Sequence, residues 1–183
     1  MRERLRQLLR RWSFREGEFV LASGATSRFY VDVRRTALTG EGAALIGDLL
    51  LDLAHDSGWA GEMQGVGGMT LGADPLTTAV GLAAHARGVS IGQFLVRKEA
   101  KAHGAGGQLV LGAELAEGSR VVLLEDTVTT GGSTLRAVEA VRGAGFVVVG
   151  ALCVVDREEG GASCLAEAGV ELRSIFTVEE LRR

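Results

Sequence analysis

The chain has 183 residues, 46% hydrophobic and 23% charged, with Lys plus Arg 20 against Asp plus Glu 23 and a net charge of −3. That suits one folded core rather than two, excludes a disordered composition, and is poor for general binding to nucleic acid or a membrane surface. The longest apolar run, residues 146–155, is about half of what a membrane span needs, Cys153 and Cys164 lack metal-ligand spacing, and the arginine-studded N-terminus has no apolar signal core, so a reduced, cytoplasmic enzyme or regulator is expected.

Residues 2–12 place Leu5, Leu8, Leu9 and Trp12 at i, i+3, i+4 and i+7, the stripe of an amphipathic helix. Residues 19–21 and 29–33 read as short strands joined by the turn-rich residues 23–27. A second helix is predicted over 41–55, with Thr39 as its N-cap but no capping box, because Gly42 stands at the third position. Strand and helix then alternate: strand 64–68 into a glycine-rich bend, helix 76–87, strand 90–96, a polar segment 97–107, strand 120–124, helix 133–142, strand 146–155, helix 162–168, strand 171–176 and a terminal turn at 178–183. This rhythm predicts an α/β fold with a central, mostly parallel sheet flanked by helices. Residues 121–124 and 147–155, nearly continuous apolar runs, should be its central strands. No repeat or linker divides the chain. The expected organisation is one domain over 1–183, with 1–35 as a small N-terminal α/β cap within it.

Glycine occurs 27 times against one proline, so several backbone segments must turn sharply or approach something closely. Of the 20 basic residues only Lys98 and Lys101 are lysines, and both fall in 97–107. Lysine supplies a compact, titratable point charge that a planar guanidinium does not. That charged, glycine-rich segment reads as a mobile functional loop between strands.

The strongest motif is VVLLEDTVTTGGS, residues 121–133. An apolar strand ends in Glu125 and Asp126, and a loop of hydroxyl residues and glycines leads into a helix. Ligands of open α/β sheets bind outside the carboxyl ends of strands. Thr129, Thr130, Gly131, Gly132 and Ser133 at a helix N-terminus make a phosphate cradle. The two carboxylates would repel phosphate, so the ligand should carry hydroxyls a few ångströms from its phosphate, as a ribose 5-phosphate does. The absence of Gly-Lys-Ser/Thr excludes a Walker loop, and the absence of GxGxxG excludes a dinucleotide fingerprint.

This string resembles that of the type I phosphoribosyltransferases, and three others are most similar to the orotate-directed members. VRKEAKAHGAGG (96–107) resembles their flexible catalytic loop at Arg97, Lys98, Glu99, Lys101, His103 and Gly104. LASGATSRFYVDVR (21–34) resembles their orotate-side segment, and VVDREEGG (154–161) the strand end whose Arg meets the base carboxylate. The resemblance implies the type I phosphoribosyltransferase fold and transfer of phosphoribose from phosphoribosyl pyrophosphate (PRPP) to orotate, giving orotidine 5′-monophosphate and pyrophosphate in pyrimidine biosynthesis. It implies catalytic roles for Lys98, Lys101, His103 and Asp126. PRPP would be held by Arg97, Lys98, Lys101, His103, Glu125, Asp126, Thr127, Val128, Thr129, Thr130, Gly131, Gly132 and Ser133. Orotate would be held by Thr129 and Arg157. Mg²⁺ would be carried mainly by PRPP, with no direct protein ligand. A homodimer with shared active sites is also implied, with no membrane or nucleic-acid partner.

Several readings stay open on sequence alone. Arg157 could instead form a surface ion pair with Glu158 or Glu159. Asp74, after the bend GGMTLGADP (67–75), reads first as a helix cap and second as a water-bridged partner of Mg²⁺. His55 and His85 read as surface or packing residues, and both cysteines as buried small hydrophobes. The alternatives in function are a PRPP-binding regulator and a phosphoribosyltransferase for another nucleobase.

Overall fold

The computed structural model describes residues 1–20, 26–99, 108–112 and 115–183. Helix α1 (Arg2–Leu8) runs into a π-turn at Leu9–Ser13, then strands β1 (Phe14–Val20) and β2 (Thr26–Val31) pair antiparallel. A single turn α2 (Arg34–Ala37) leads to α3 (Gly40–Asp56). Thr39 caps α3 as expected, its hydroxyl accepting from Gly42 N at 3.1 Å. There follow β3 (Gly65–Met69), α4 (Ala73–Ala86), β4 (Gly92–Val96), β5 (Leu109–Leu111), β6 (Arg120–Val128), α5 (Gly132–Gly143), β7 (Val147–Asp156), α6 (Gly161–Glu167), β8 (Leu172–Thr177) and α7 (Val178–Arg182). The C-terminal helix carries a capping box between Thr177 and Glu180.

The main sheet has the order β5-β4-β3-β6-β7-β8, all parallel except the edge strand β5. Side chains alternate across its faces. In β6, Val122 and Leu124 join Leu5, Ile46, Leu50, Leu76 and Phe176 in one core cluster. Val121 and Leu123 join Phe94, Ala137, Val138, Val141 and Leu165 in the other. Thus α4, which follows β3, covers one face, and α5, which follows β6, covers the opposite face. The chain reverses direction of winding between β3 and β6, and the crevice between their carboxyl ends is the topological switch point where such sheets bind ligands.

Strand β5 and the turn α2 have no counterpart in the expected pattern, and two strands differ from it in extent. Strand β6 does not end before the carboxylates but continues to Val128, because its pairing with β7 runs on through Glu125–Cys153, Thr127–Val155 and Val128–Asp156. Strand β1 begins at Phe14 rather than at residue 19, paired with β2 through Phe14–Val31, Arg15–Tyr30 and Glu16–Phe29. Leu5 and Leu9 of the N-terminal helix are fully buried in the main core, and the Arg2 guanidinium lies 4.5 Å from the Phe176 ring centroid. Among the described residues no helix is long and apolar enough to cross a membrane.

Candidate active site

The carboxyl ends of β3, β4, β6 and β7 lie along one edge of the sheet, because these strands are parallel and in register: Met69 pairs with Val96, Gly67 with Leu123, and Val128 with Asp156. The 69–74 bend, Arg97, the 125–133 motif and Arg157 therefore share that edge.

At the switch point Glu125 and Asp126 meet the bend after β3. A Cβ on Gly72 would fall 2.6 Å from Asp126 Oδ1 and 2.9 Å from Glu125 Oε1, so any larger residue there would push the two carboxyl groups aside. The pair does not stand on an exposed strand end, as the apolar-run reading of 120–124 implies; Glu125 is 7% exposed and Asp126 half-buried. Burial, followed by the neighbouring Asp126 charge, pushes the Glu125 carboxyl up to about 8. Burial also raises Asp126, opposed by its hydrogen bond with Glu125, the Thr127 N–H at 2.9 Å and the charge of Arg34. Glu125 is the member whose affinity for a proton is raised furthest, and the Thr134 hydroxyl donates to its Oε2 at 3.4 Å. Arg34 is itself forked onto Asp32, with Nε to Oδ1 at 2.8 Å and Nη2 to Oδ2 at 3.2 Å. That bond holds the Asp32 carboxyl below its ordinary value.

After Val128 the chain turns at Thr129 and Thr130, and Gly131 takes φ 83°, a left-handed conformation that favours glycine. Gly131 is the N-cap of α5 and supplies no capping side chain, so the first N–H groups of that helix lack an internal partner. Thr129, Gly132 and Ser133 are half-buried around this turn, Thr130 is exposed, and Gly131 is buried. Thr127 Oγ1 is buried with no hydrogen-bond partner among the described residues. The Val128 side chain is 1% exposed and its carbonyl accepts from Arg157 N, which leaves Val128 only backbone contact with a ligand.

Arg157 follows β7 and is 7% exposed, so the expected alternative of a surface pair is only partly met. Its Nη2 lies 2.7 Å from Glu159 Oε1 and donates to Ser27 Oγ at 3.3 Å. Its Cζ lies 4.8 Å from the Phe29 ring centroid. The N-terminal hairpin thus forms one wall around the guanidinium.

Arg97 is half-buried with its N–H on Gln108 O at 2.7 Å, and Lys98 and Glu99 are exposed. Lys101, His103 and the rest of 100–107 lie outside the described residues. Asp74 is not a cap: Gly72 holds the N-cap position of α4 with no side-chain cap bond, and Asp74 Oδ2 is buried without a partner among the described residues. His55 and His85 are exposed, Cys153 is buried, and Cys164 is half-buried rather than fully buried. Thr134 had no signal in the sequence, Gly72 was legible only as part of the 67–75 bend, and Glu159 only as an ion-pair partner of Arg157.

Comparison with known proteins places these features in a family. The family model of the phosphoribosyl transferase domain matches residues 75–165. Orotate phosphoribosyltransferase of Streptomyces avermitilis is 49% identical over 166 residues, covering 90% of this chain and 88% of the relative. That of Nostoc sp. is 39% identical over 183 residues, covering 100% and 86%. The crystal structure of Mycobacterium tuberculosis H37Rv orotate phosphoribosyltransferase in complex with PRPP has a TM-score of 0.80 and 39% identity, covering 100% of this chain and 99% of that one.

Proposed function

The chain belongs to the orotate phosphoribosyltransferases, and from that membership we propose that it transfers the 5-phosphoribosyl group of PRPP to orotate, releasing pyrophosphate. The observation that carries this is the crevice itself. A buried carboxylate pair faces the Gly72 bend, and an uncapped helix N-terminus stands a few residues beyond it. Asp126 accepts from the ribose hydroxyls with Glu125 beside it, and the N–H groups and hydroxyls from Thr127 to Ser133 hold the 5′-phosphate. Thr129 and Arg157 face orotate, with the guanidinium matched to its carboxylate.

Displacement at the anomeric carbon puts positive charge on the ribose and negative charge on the leaving pyrophosphate. Asp126 stabilises the first, and Arg97, Lys98, Lys101 and His103 the second, with proton donation available from the last two. Mg²⁺ is part of the proposal as an ion carried by PRPP oxygens, adding charge stabilisation to the pyrophosphate. Asp74 Oδ2, in the first turn of α4 and without a partner among the described residues, fits a hydrated hard cation. We place the enzyme in the cytoplasm, where the free Cys153 and Cys164 stay reduced.

The test is a nucleobase panel. Orotate is expected to be consumed only with PRPP and Mg²⁺, and EDTA is expected to stop the absorbance change. Turnover of adenine or guanine with orotate untouched overturns the assignment.

A homodimer in which each site combines Lys101 of one protomer with Asp126 of the other belongs to the same proposal. Lys101→Ala and Asp126→Asn homodimers are each expected to be nearly inactive. In a hybrid, one site carries both lesions and the other neither, so mixing restores up to about half of the activity per hybrid. Absence of complementation, with subunit exchange confirmed by mass spectrometry, refutes the shared site.

A further inference from the structure

Arg157 and Glu159 are unequal partners. The guanidinium side chain is 6% exposed, held between Phe29 and Ser27, whereas the Glu159 side chain is 37% exposed. Beyond Arg157, Glu159 has no second hydrogen-bond or ion-pair partner among the described residues. The cation is fixed and the anion is free to turn outward.

The pair is also incomplete. Nε and Nη2 share the edge of a guanidinium that forks onto a carboxylate, as Arg34 shows by engaging Asp32 through both atoms. On Arg157 only Nη2 is engaged, while Nε is buried with no partner among the described residues. A buried charged donor left empty is costly. An incoming carboxylate that took both atoms would satisfy it.

The backbone is bent to make this contact. Asp156 Oδ1 accepts from Glu158 N at 2.8 Å, Glu158 has φ 58°, and Gly160 has φ 92°. A left-handed non-glycine residue is unfavourable by roughly 1 kcal/mol, and here it turns the chain so that Glu159 returns to Arg157 two residues earlier.

We infer that Glu159 is a placeholder: its carboxylate occupies the Arg157 guanidinium until the carboxylate of orotate displaces it, which makes Glu159 a positioning and selectivity residue for the base. The inference rests on the reading of Arg157 as the orotate clamp. A neutral base such as uracil brings nothing to replace the displaced anion and is disfavoured by it.

The test is Glu159→Gln, which removes the anion and keeps the shape. The KM for orotate is expected to fall about three- to tenfold, the size of one ordinary net hydrogen bond, since the displaced Glu159 is partly exposed to water, with the KM for PRPP unmoved. Inhibition by uracil is expected to strengthen by a comparable factor, because the anion that it displaced without replacement is gone. In an Arg157→Ala background the same substitution is expected to do nothing, since the two act as a unit. An orotate KM that stays constant, or that rises together with the uracil inhibition constant, refutes the placeholder. If Arg157→Ala itself leaves the orotate KM unchanged, the clamp reading fails instead, so the two failures are distinguishable.

Discussion

Asp126→Asn combined with Glu125→Gln is expected to lower kcat/KM by about two to three orders of magnitude while making the folded chain more stable above pH 8. The loss follows from the acceptors: a hydrogen bond to a charged group contributes about 1.5–3 kcal/mol, and Asp126 is the carboxylate that the proposed function sets against the ribose hydroxyls. The stability gain follows from the proton. Glu125 is raised from 4.5 to about 8 by burial and by Asp126, so the folded state prefers its neutral form. That preference contributes fully below pH 4.5 and is lost as the pH rises through about 8, with every tenfold gain in proton affinity on folding worth roughly 1.4 kcal/mol. At pH 9 the native chain holds two adjacent buried anions. Glutamine reproduces the neutral acid: its amide donates to Asp126 and its oxygen accepts from Thr134. Single Glu125→Gln should therefore melt close to the parent at pH 5.5 and about 10 °C higher at pH 9. Parallel melting curves at both values refute the shared proton, and full activity in the double variant removes the pair from ribose recognition.

The buried pair also marks where sequence reasoning reaches its limit. The apolar runs of β6 and β7 announced central parallel strands because both faces of such strands are covered, and Val121 to Leu124 do alternate between two cores. The same rule ended β6 before Glu125, whereas the strand continues because hydrogen bonding to β7 does not depend on side-chain polarity. A carboxyl that keeps its proton is cheap enough to bury, and no pattern of residue types records a protonation state. Thr39, a local cap, was legible; β5, a three-residue edge strand with Val110 and Leu111 exposed, carries too short a pattern to read.

The site was legible as a set of strand ends and not as a set of contacts. Alternation of strands and helices puts the ends of β3, β4, β6 and β7 on one edge, and the residues there were named by their chemistry. That Gly72 closes on Asp126 requires β3 to neighbour β6, a pairing that skips two strands in chain order. The Ser27–Arg157 bond spans 130 residues. Neither has a local signature, because both are set by the order of strands rather than by any spacing along the chain.

Arg157→Ala is expected to raise the KM for orotate by about two orders of magnitude and the KM for PRPP by no more than a few fold. The guanidinium is buried against Phe29, so a substrate carboxylate that reaches it leaves water and pairs where screening is weak. Two charge-assisted hydrogen bonds from Nε and Nη2, each worth about 1.5–3 kcal/mol, set the scale. The fold is expected to survive, because Glu159, the partner left behind, is 37% exposed and can return to water. Arg157→Lys separates charge from geometry. Lysine keeps a cation but neither the fork nor the planar stack on Phe29, so its orotate KM should lie between those of the parent and the alanine variant. In the proposed arrangement PRPP is insulated from the change, because its phosphate would sit at the α5 N-terminus, and among the described residues Arg157 touches the strand leading there by the backbone bond from its N–H to Val128 O at 2.9 Å. Initial rates with each substrate varied at saturation of the other separate the two constants. Equal rises in both would mean that Arg157 supports the β6–β7 strand ends as a whole, and orotate would then need another clamp.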